Sequence, residues 1–328
     1  MQLDNTRIAI RERNLLDTLD LALHVIRHYP RELLVTFLVA AVPLAILNDY
    51  LLGWILDVEY REAFFYLEEY GAVWRFWWSM TLLVFIEAPL ASIFITAFLG
   101  QAVFVDRPSL RQVFGVVGKI RKAFPNVRKI WQVFGDVRRT LGRLVWCQLL
   151  VRGILPFWLL VFAIDRYDDF NLGIEIFGIG GLALYAFLMR AVRPFINEIV
   201  LLERNPLRAK DPTAITIGRR SSQLHGPSSG DLFAKWMATA VMGTLLTVGV
   251  AATFVFLSGT LFNDWQPGPA MIRFMYPASM WIVILYLSVV RFLSYLDLRI
   301  RHEGWEVELR LRAEASRQLG KLGLGIRE

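Results

Sequence analysis

The stretch MWIVILYLSVVRFLSYLDLRIRHEGWEVELRLR, residues 280–312, joins two patterns that belong to different environments. Up to Ser294 it is almost entirely apolar, which is the composition of a helix that crosses a bilayer. From Tyr295 onward, apolar and charged residues alternate, and period two is typical of a half-buried strand. The spacing of the charged residues distinguishes between a strand and a continuing helix in this second part.

Opposite charges recur four residues apart in the second part, and each such pair stabilises a helix by roughly 0.2–0.5 kcal/mol. A strand gives these pairs no comparable register, so we expect the helix to continue beyond the membrane, with Gly304 as the site of any bend. The apolar residues then form two opposed edges, which favours a helix held between neighbours. The pairs are Asp297–Arg301, Arg299–Glu303, Glu306–Arg310 and Glu308–Arg312. The edges are Leu296, Ile300, Val307 and Leu311, and Leu298, Trp305 and Leu309.

The rest of the chain has the same membrane character. Its 328 residues are 55% hydrophobic with a mean hydropathy of +0.45, whereas a soluble domain is about 45–50% apolar. We therefore predict an all-α polytopic membrane protein, and its first span is expected to act as the targeting element. The lone Cys147 lies in a span, which excludes an intramolecular disulfide. The six predicted spans are 33–56, 76–104, 144–165, 172–201, 236–262 and 274–298. They form one membrane domain, 33–298, between cytoplasmic segments 1–32 and 299–328.

Positive charge is distributed unevenly between the connecting segments. Of the 36 Lys and Arg residues, 28 lie in 1–32, 105–143, 203–235 and 296–328. The alternate segments are acidic or nearly neutral. The positive-inside rule predicts that both termini and the two long loops, 105–143 and 203–235, are cytoplasmic. The net charge of +7 follows this topology instead of forming one basic patch, which argues against a nucleic-acid partner.

Amphipathic segments are expected on the cytoplasmic surface. In NLLDTLDLALHVIRHY, residues 14–29, Leu16, Leu19, Leu23 and Ile26 have helical spacing, which predicts an interfacial helix. By contrast, GRRSSQLHGPSSG, residues 218–230, has the Gly and Ser content of a loop, and we predict that it is mobile.

The loop after span 2 contains a second amphipathic pattern. An apolar stripe there includes Trp131 and is flanked by basic residues, which predicts a helix that binds anionic inner-leaflet lipids. The alternative is that the stripe packs on the protein's own helices. The residues of this predicted basic helix are Arg128, Lys129, Trp131, Arg138 and Arg139.

Polar side chains within the spans define the candidate site, because they are costly in hydrocarbon. Pro194 is expected to kink span 4, where Arg190, Arg193 and Asn197 share one helix face by spacing. One interpretation is a cavity that binds an anion or lipid headgroup, and the other is a network of structural ion pairs. The candidates are Glu87, Arg152, Arg190, Arg193, Asn197, Glu198, Arg291 and Asp297.

Motif spacing gives little support for an enzyme. Asp20, His24 and His28 recur every four residues, which suits either three metal ligands or the polar face of a helix, and we expect no metal and no cofactor. The sequence has no HExxH motif and no glycine-rich phosphate loop. Glu87 is the one deep carboxylate that an intramembrane enzyme would use. In span 5, Gly243, Thr247 and Ala251 form a small-residue face suited to helix packing.

Four stretches together carry a family resemblance: IEAPLASIFITAFLGQAVF, RPFINEIVLLERNPL, RRSSQLHGPSSGDLFAKW and YLDLRIRHEGWEVELRLR. From about Leu15 to Leu311 the chain resembles a family of six-span bacterial inner-membrane proteins, mostly of planctomycete type, with no assigned activity. More distantly it is similar to the membrane domain of some glycerophosphodiester phosphodiesterases. The resemblance implies a bacterial inner membrane, but the soluble hydrolase barrel is absent, so hydrolysis is not implied.

Two functions follow as hypotheses. The first is a non-catalytic membrane scaffold or complex subunit whose basic cytoplasmic face docks a protein partner. The second is a carrier or lipid-handling protein that uses the arginine and carboxylate cluster of the inner leaflet. A cavity lined by Glu87, Arg152 and Arg193 would favour the second, whereas tight pairing of these residues would favour the first. The sequence does not determine the oligomeric state.

Overall fold

The computed structural model describes residues 14–62, 69–103, 148, 153–164, 173–203, 205–206, 215–265 and 268–303. Every regular element in these ranges is helical. The α-helices are α1 (Leu15–His28), α2 (Pro30–Glu62), α3 (Glu69–Ala91), α4 (Ile93–Ala102), α5 (Ile154–Ile164), α6 (Gly180–Val192), α7 (Ile196–Glu198), α8 (Ile217–His225), α9 (Ser229–Phe262) and α10 (Tyr276–Glu303). Wider π-helical turns occupy Gly173–Ile179, Ile199–Glu203 and Met271–Met275.

Within the described ranges, four helical stretches are long and apolar enough to cross a membrane: Pro30–Asp57, Val73–Ala102, Ser229–Phe262 and Met271–His302. A fifth stretch is broken, because Ile176–Val192 and Ile196–Glu203 meet at an angle of 67°. These five correspond to predicted spans 1, 2, 5, 6 and 4. Span 3, 144–165, is described mainly through the 11 residues of α5, and the count of six therefore stays a prediction.

The N-terminal helix α1 packs on α10 instead of standing apart. The side chain of Asn14 accepts a hydrogen bond from the Asp17 amide at 2.7 Å and so caps the helix start. Leu19 is buried, and the Tyr286 hydroxyl donates to its carbonyl oxygen at 3.1 Å. Leu16 and Leu23, two members of the predicted apolar face, are 70% and 56% exposed. The interfacial position of α1 remains a prediction.

The alternating stretch after span 6 is helical as far as the structure describes it. α10 runs without interruption to Glu303, and Asp297 pairs with Arg301 at 2.8 Å as the spacing predicted. Tyr295 and Leu298 are buried in a small apolar cluster with residues from α4, α8, α9 and the turn Ile199–Glu203. Leu298, one member of the two predicted apolar edges, is therefore packed on neighbouring helices, and the position of the whole segment between two neighbours stays a prediction. Residues 304–328, including the remaining predicted pairs, lie outside the described ranges.

The prediction of a loop at 218–230 is wrong, because most of this segment is helical. α8 begins after Thr216, whose hydroxyl accepts a weak hydrogen bond from the Arg219 amide at 3.4 Å. Ile217 and Leu224 are buried, and this burial outweighs the low helix propensity of a Gly- and Ser-rich segment. Arg220 then forms an ion pair with Glu203 at 2.6 Å, which joins α8 to the end of the broken span.

Helix α2 carries two polar residues that interrupt its apolar sequence, and both have partners on other helices. Asn48 is buried against Glu87 of α3. Asp49 accepts a hydrogen bond from Arg273 at 2.6 Å, and Arg273 also contacts Asp57 at 3.0 Å. These contacts hold α2 against α3 and against the start of the last span.

The packing of α10 generates a stability prediction. Leu298→Ala should lower the free energy of unfolding by about 2–5 kcal/mol, because it opens a cavity where the leucine is 4% exposed. Leu245→Ala is the matched control, since Leu245 is 64% exposed on α9 and should change stability little. Thermal unfolding of both variants in one detergent measures the difference. Equal unfolding temperatures would contradict the buried position of Leu298.

Candidate functional site

The second span is interrupted at Pro89. Proline has no backbone N–H, so the carbonyl oxygen of Phe85, four residues earlier, loses its helical donor. α3 ends at Ala91 and α4 begins at Ile93, with Ser92 between them. The Ser92 hydroxyl donates to the Pro89 carbonyl oxygen at 3.0 Å. Where a helix is interrupted in hydrocarbon, its free carbonyl groups need hydrogen-bond donors from elsewhere in the protein.

The fourth span is interrupted at residues 193–195, and the predicted kink at Pro194 is confirmed. α6 ends at Val192, and the chain resumes as α7 after the 67° bend. The expectation that Arg190, Arg193 and Asn197 share one helix face is wrong, because the bend lies between them. Arg190 and Asn197 are buried, whereas Arg193 is exposed.

The two breaks are joined by side chains that supply the missing donors. The Arg190 guanidinium donates to the carbonyl oxygens of Phe85 and Ile86, the latter at 2.7 Å. The Asn197 amide donates to the Pro89 carbonyl oxygen at 2.8 Å, and its own carbonyl oxygen accepts from Gln148. Arg190 and Asn197 of the fourth span therefore supply hydrogen-bond donors to backbone carbonyl groups at the break in the second span.

An ion pair completes this polar junction. Arg291 of α10 lies 2.8 Å from Glu198, whose side chain is 0% exposed. The same guanidinium donates to the Ser92 hydroxyl at 2.8 Å, so three spans meet at one cation. Removing one charge of such a buried pair is expensive, because the other remains uncompensated. We refer to Ser92, Arg190, Asn197, Glu198 and Arg291 as the polar junction.

A buried histidine supports the second break from α8. The Phe195 amide donates to Nε2 of His225 at 3.4 Å, and Nδ1 of His225 lies 2.7 Å from the Ser221 carbonyl oxygen. These contacts place the proton on Nδ1 and leave Nε2 as acceptor. The rings of His225 and Phe195 stack with centroids 5.7 Å apart. Sequence reasoning missed this residue because its segment has the composition of a loop.

Glu87 lies in a separate polar contact between α2, α3 and α5. Its two carboxylate oxygens accept hydrogen bonds from Asn48 at 2.8 Å and from Trp158 at 2.7 Å. It is 0% exposed and does not line the cavity described below. The arrangement holds three helices together, which accounts for a carboxylate at this depth.

A cavity of about 1130 Å³ lies beside the junction, between α9 on one side and α3, α6 and α10 on the other. Small and apolar residues form most of its wall, and α9 contributes the predicted small-residue face. Gly243 of that face packs against Leu287 of α10, as expected for helix packing. Gly243, Thr247 and Ala251 all line the cavity as well. The opposite walls include Leu82, Phe85, Leu184, Met280 and Leu287.

Four alternating charges close one end of the cavity. Asp231 and Lys235 of α9 are 2.9 Å apart, and Asp297 and Arg301 of α10 are 2.8 Å apart. Across the two helices, Lys235 lies 3.8 Å from Asp297, and Arg301 lies 3.9 Å from Asp231. Beyond them the Ser228 hydroxyl meets His302 at 2.7 Å. We refer to Asp231, Lys235, Asp297 and Arg301 as the charged ring.

The structure separates the candidates into two groups. Arg190, Arg291 and Asp297 line the cavity, whereas Glu87, Arg193, Asn197 and Glu198 do not. Arg152 lies outside the described residues. So does the predicted basic helix, Arg128, Lys129, Trp131, Arg138 and Arg139.

Sequence reasoning also missed Asp231 and Lys235, because it assigned 203–235 to a cytoplasmic loop. Their four-residue spacing was the available signal that a helix begins there.

The histidines of α1 do not form a metal site in the structure. His24 lies 3.6 Å from Asp20, and both side chains are largely exposed. Within the described ranges, no group of three or more His, Cys, Asp or Glu side chains is arranged to hold a metal ion.

The described fold defines an all-helical protein whose long apolar helices suit a membrane-spanning chain. Comparison of the chain with protein-family models, with curated proteins and with solved structures gives no match.

The ion pair of the polar junction generates a double-substitution prediction. Arg291→Met should lower the free energy of unfolding by about 3–5 kcal/mol, because Glu198 remains as an uncompensated buried charge. Adding Glu198→Gln should recover most of this loss, since the carboxylate charge is then absent. Thermal unfolding of the two single variants and the double variant measures the coupling. Additive losses would contradict a direct Glu198–Arg291 interaction.

Proposed function

We propose that this protein binds a membrane lipid between its helices, with the acyl chains in the cavity and the headgroup at the charged ring. The observation that carries the proposal is the chemistry of the cavity, whose wall is apolar along its body and charged at one end. A membrane lipid has the same division between chains and headgroup. Contact between water and the apolar wall is unfavourable, whereas contact between acyl chains and this wall is favourable.

The length of the cavity supports the same ligand. Its wall on α9 extends from Ser228 to Val255. At 1.5 Å per residue this distance is about 40 Å, the thickness of a bilayer including its headgroup regions, so one lipid, which spans a single leaflet, would occupy the half next to the charged ring. The cavity volume of 1130 Å³ is at or above the upper end of small-molecule sites, which are roughly 300–1,000 Å³. A long ligand that lies parallel to the spans therefore fits better than a compact solute.

This lipid-binding site differs from the one that the sequence suggested. Glu87, Asn197 and Glu198 are held by partners within the protein, and they are assigned here to helix packing. The headgroup contacts are assigned to Arg190, Arg291 and the charged ring, which line the cavity. Binding of anionic lipid by the basic helix around Trp131 remains a separate prediction.

The scaffold hypothesis is the second candidate, and one observation favours it. Tight pairing of Glu87, Arg152 and Arg193 was its expected signature, and Glu87 has close internal partners in Asn48 and Trp158, while Arg152 lies outside the described residues. A scaffold would use the cytoplasmic ends of the helices and the C-terminal segment for a protein partner. It assigns no role to the cavity, so the two candidates differ in what filling the cavity should do.

Filling the cavity tests the lipid-binding proposal. Protein purified in mild detergent should retain lipid, and Ala240→Trp should greatly reduce the amount per chain, because Ala240 lines the cavity. Ala238→Trp is the matched control, since Ala238 is exposed on the same helix and does not line it. Mass spectrometry of the intact protein counts the bound lipid. Equal lipid retention in both variants would refute the proposal and favour the scaffold.

We further propose that the chain has six spans in a bacterial inner membrane, with both termini in the cytoplasm. The distribution of Lys and Arg and the resemblance to a six-span family support this topology. The turn after α9, around Asp264, would then face outward.

Thiol labelling tests the topology, because Cys147 is the single cysteine and can be replaced by Ser. In that background, Asp264→Cys should react with a membrane-impermeant maleimide in intact cells. Asn5→Cys should react only after the cells are permeabilised. Labelling of Asn5→Cys in intact cells would place the N-terminus outside and contradict the proposed topology.

A further inference from the structure

The charges on the cavity wall differ in sign along its length. Among the described residues that line it, the acids are Asp231 and Asp297, and both belong to the charged ring. The bases occur in the ring, as Lys235 and Arg301, and also at Arg190 and Arg291. Arg291 lies six residues before Asp297 on α10, which places it about 9 Å deeper along the helix. Carboxylates therefore line only the end of the cavity at the charged ring, which we call its mouth. Guanidinium groups also line the cavity deeper between the helices.

We propose that the lipid held in this cavity is zwitterionic, with a phosphate and a primary ammonium in its headgroup, as in a phosphoethanolamine lipid. The inference rests on the proposed lipid-binding function and names the class of lipid. The phosphate, which is next to the glycerol, lies toward Arg190 and Lys235. The ammonium, which is at the outer end of the headgroup, lies at the carboxylates of the ring.

The charged ring itself favours a zwitterion over an anionic headgroup. The ring has two acids and two bases, and each acid lies within 4 Å of both bases. A phosphate that replaces Asp231 at Lys235 leaves this carboxylate with Arg301, 3.9 Å away, as its remaining cation in the ring. The ammonium of the same lipid places a second cation beside Asp231, so each charge of the ring keeps a close partner. An anionic headgroup supplies no such cation.

Because Asp297 is more buried than Asp231, it discriminates more strongly against an anionic headgroup. The Asp297 side chain is 9% exposed, whereas that of Asp231 is 52% exposed. Water compensates an exposed carboxylate, but a buried one that faces an anion is strongly unfavourable. Asp297 therefore opposes a purely anionic headgroup, while Asp231 remains accessible to an ammonium group at the mouth.

A primary ammonium also suits the ring better than a trimethylated one. Carboxylate oxygens accept hydrogen bonds, and an ammonium with N–H groups donates them, whereas a choline headgroup has the same charge without these donors. A charge-assisted hydrogen bond contributes about 1.5–3 kcal/mol, which corresponds to a preference of about tenfold or more. The site should therefore distinguish these two zwitterions as well.

A lipid competition experiment tests the inference with the full-length protein. The chain is reconstituted in nanodiscs of equal parts phosphatidylethanolamine, phosphatidylcholine and phosphatidylglycerol, and bound lipid is identified by mass spectrometry of the intact protein. We expect phosphatidylethanolamine to be enriched about tenfold over the other two. Asp231→Asn should reduce the enrichment over phosphatidylcholine from about tenfold to about one, because the amide that replaces the half-exposed carboxylate carries no charge to pair with the ammonium.

Asp20→Asn on α1 is the matched control, since Asp20 is exposed and lies outside the cavity wall, and it should keep the enrichment. Retained lipid with equal proportions of the three headgroups, or with phosphatidylglycerol enriched, would overturn the inference and leave the lipid-binding function standing. Enrichment over phosphatidylcholine that persists in Asp231→Asn would also overturn it. The absence of any retained lipid would instead refute the proposed function itself.

Discussion

The need to hydrogen-bond every backbone group away from water is the constraint on which this structure depends. Two spans are broken, one at Pro89 and Ser92 and the other at residues 193–195. In hydrocarbon such breaks would leave carbonyl and amide groups without partners. They lie against each other, so that Arg190 and Asn197 donate to the carbonyl groups of the facing span. The breaks are thus tolerated only as a pair.

This mutual satisfaction explains why polar residues at the bundle centre are mainly structural. Glu198 compensates Arg291, and His225 accepts the amide hydrogen of Phe195. Glu198 Oε1 accepts from Arg291 at 2.8 Å, and the Phe195 amide donates to Nε2 of His225 at 3.4 Å, so both groups bind another part of the protein. The proposed lipid-binding surface lies at the edge of this junction, where Arg190 and Arg291 also line the cavity.

The cavity exists because α9 packs less closely than the other spans. Only 6% of the residues in an apolar 18-residue stretch of α9 are buried, compared with 67% in the corresponding stretch of the second span. Gly243 allows a close approach to α10 at one level, and the charged ring holds the two helices together at one end. Between and beyond these contacts the small residues of α9 leave space. A lipid in this space would provide the packing that the helix otherwise lacks.

Local patterns predicted much of the fold. Hydropathy identified four spans of sufficient length, and Pro194 indicated the kink in a fifth. Charge spacing identified residues 295–303 as helix, since the Asp297–Arg301 pair has the register of a helix. The helix α8 was missed because burial of Ile217 and Leu224, which depends on distant residues, outweighs a local composition typical of loops.

The sequence by itself determined the apolar length of the described helices and the break at Pro194. These are local properties, because they depend on hydropathy and on whether a backbone N–H is present. Only the tertiary structure decided which polar groups are partners and where a cavity remains. Asn197 and Pro89 are far apart in sequence, as are Lys235 and Asp297, and each residue type could equally have served a ligand. The distances between helices determined which of them hold the fold together and which face the cavity.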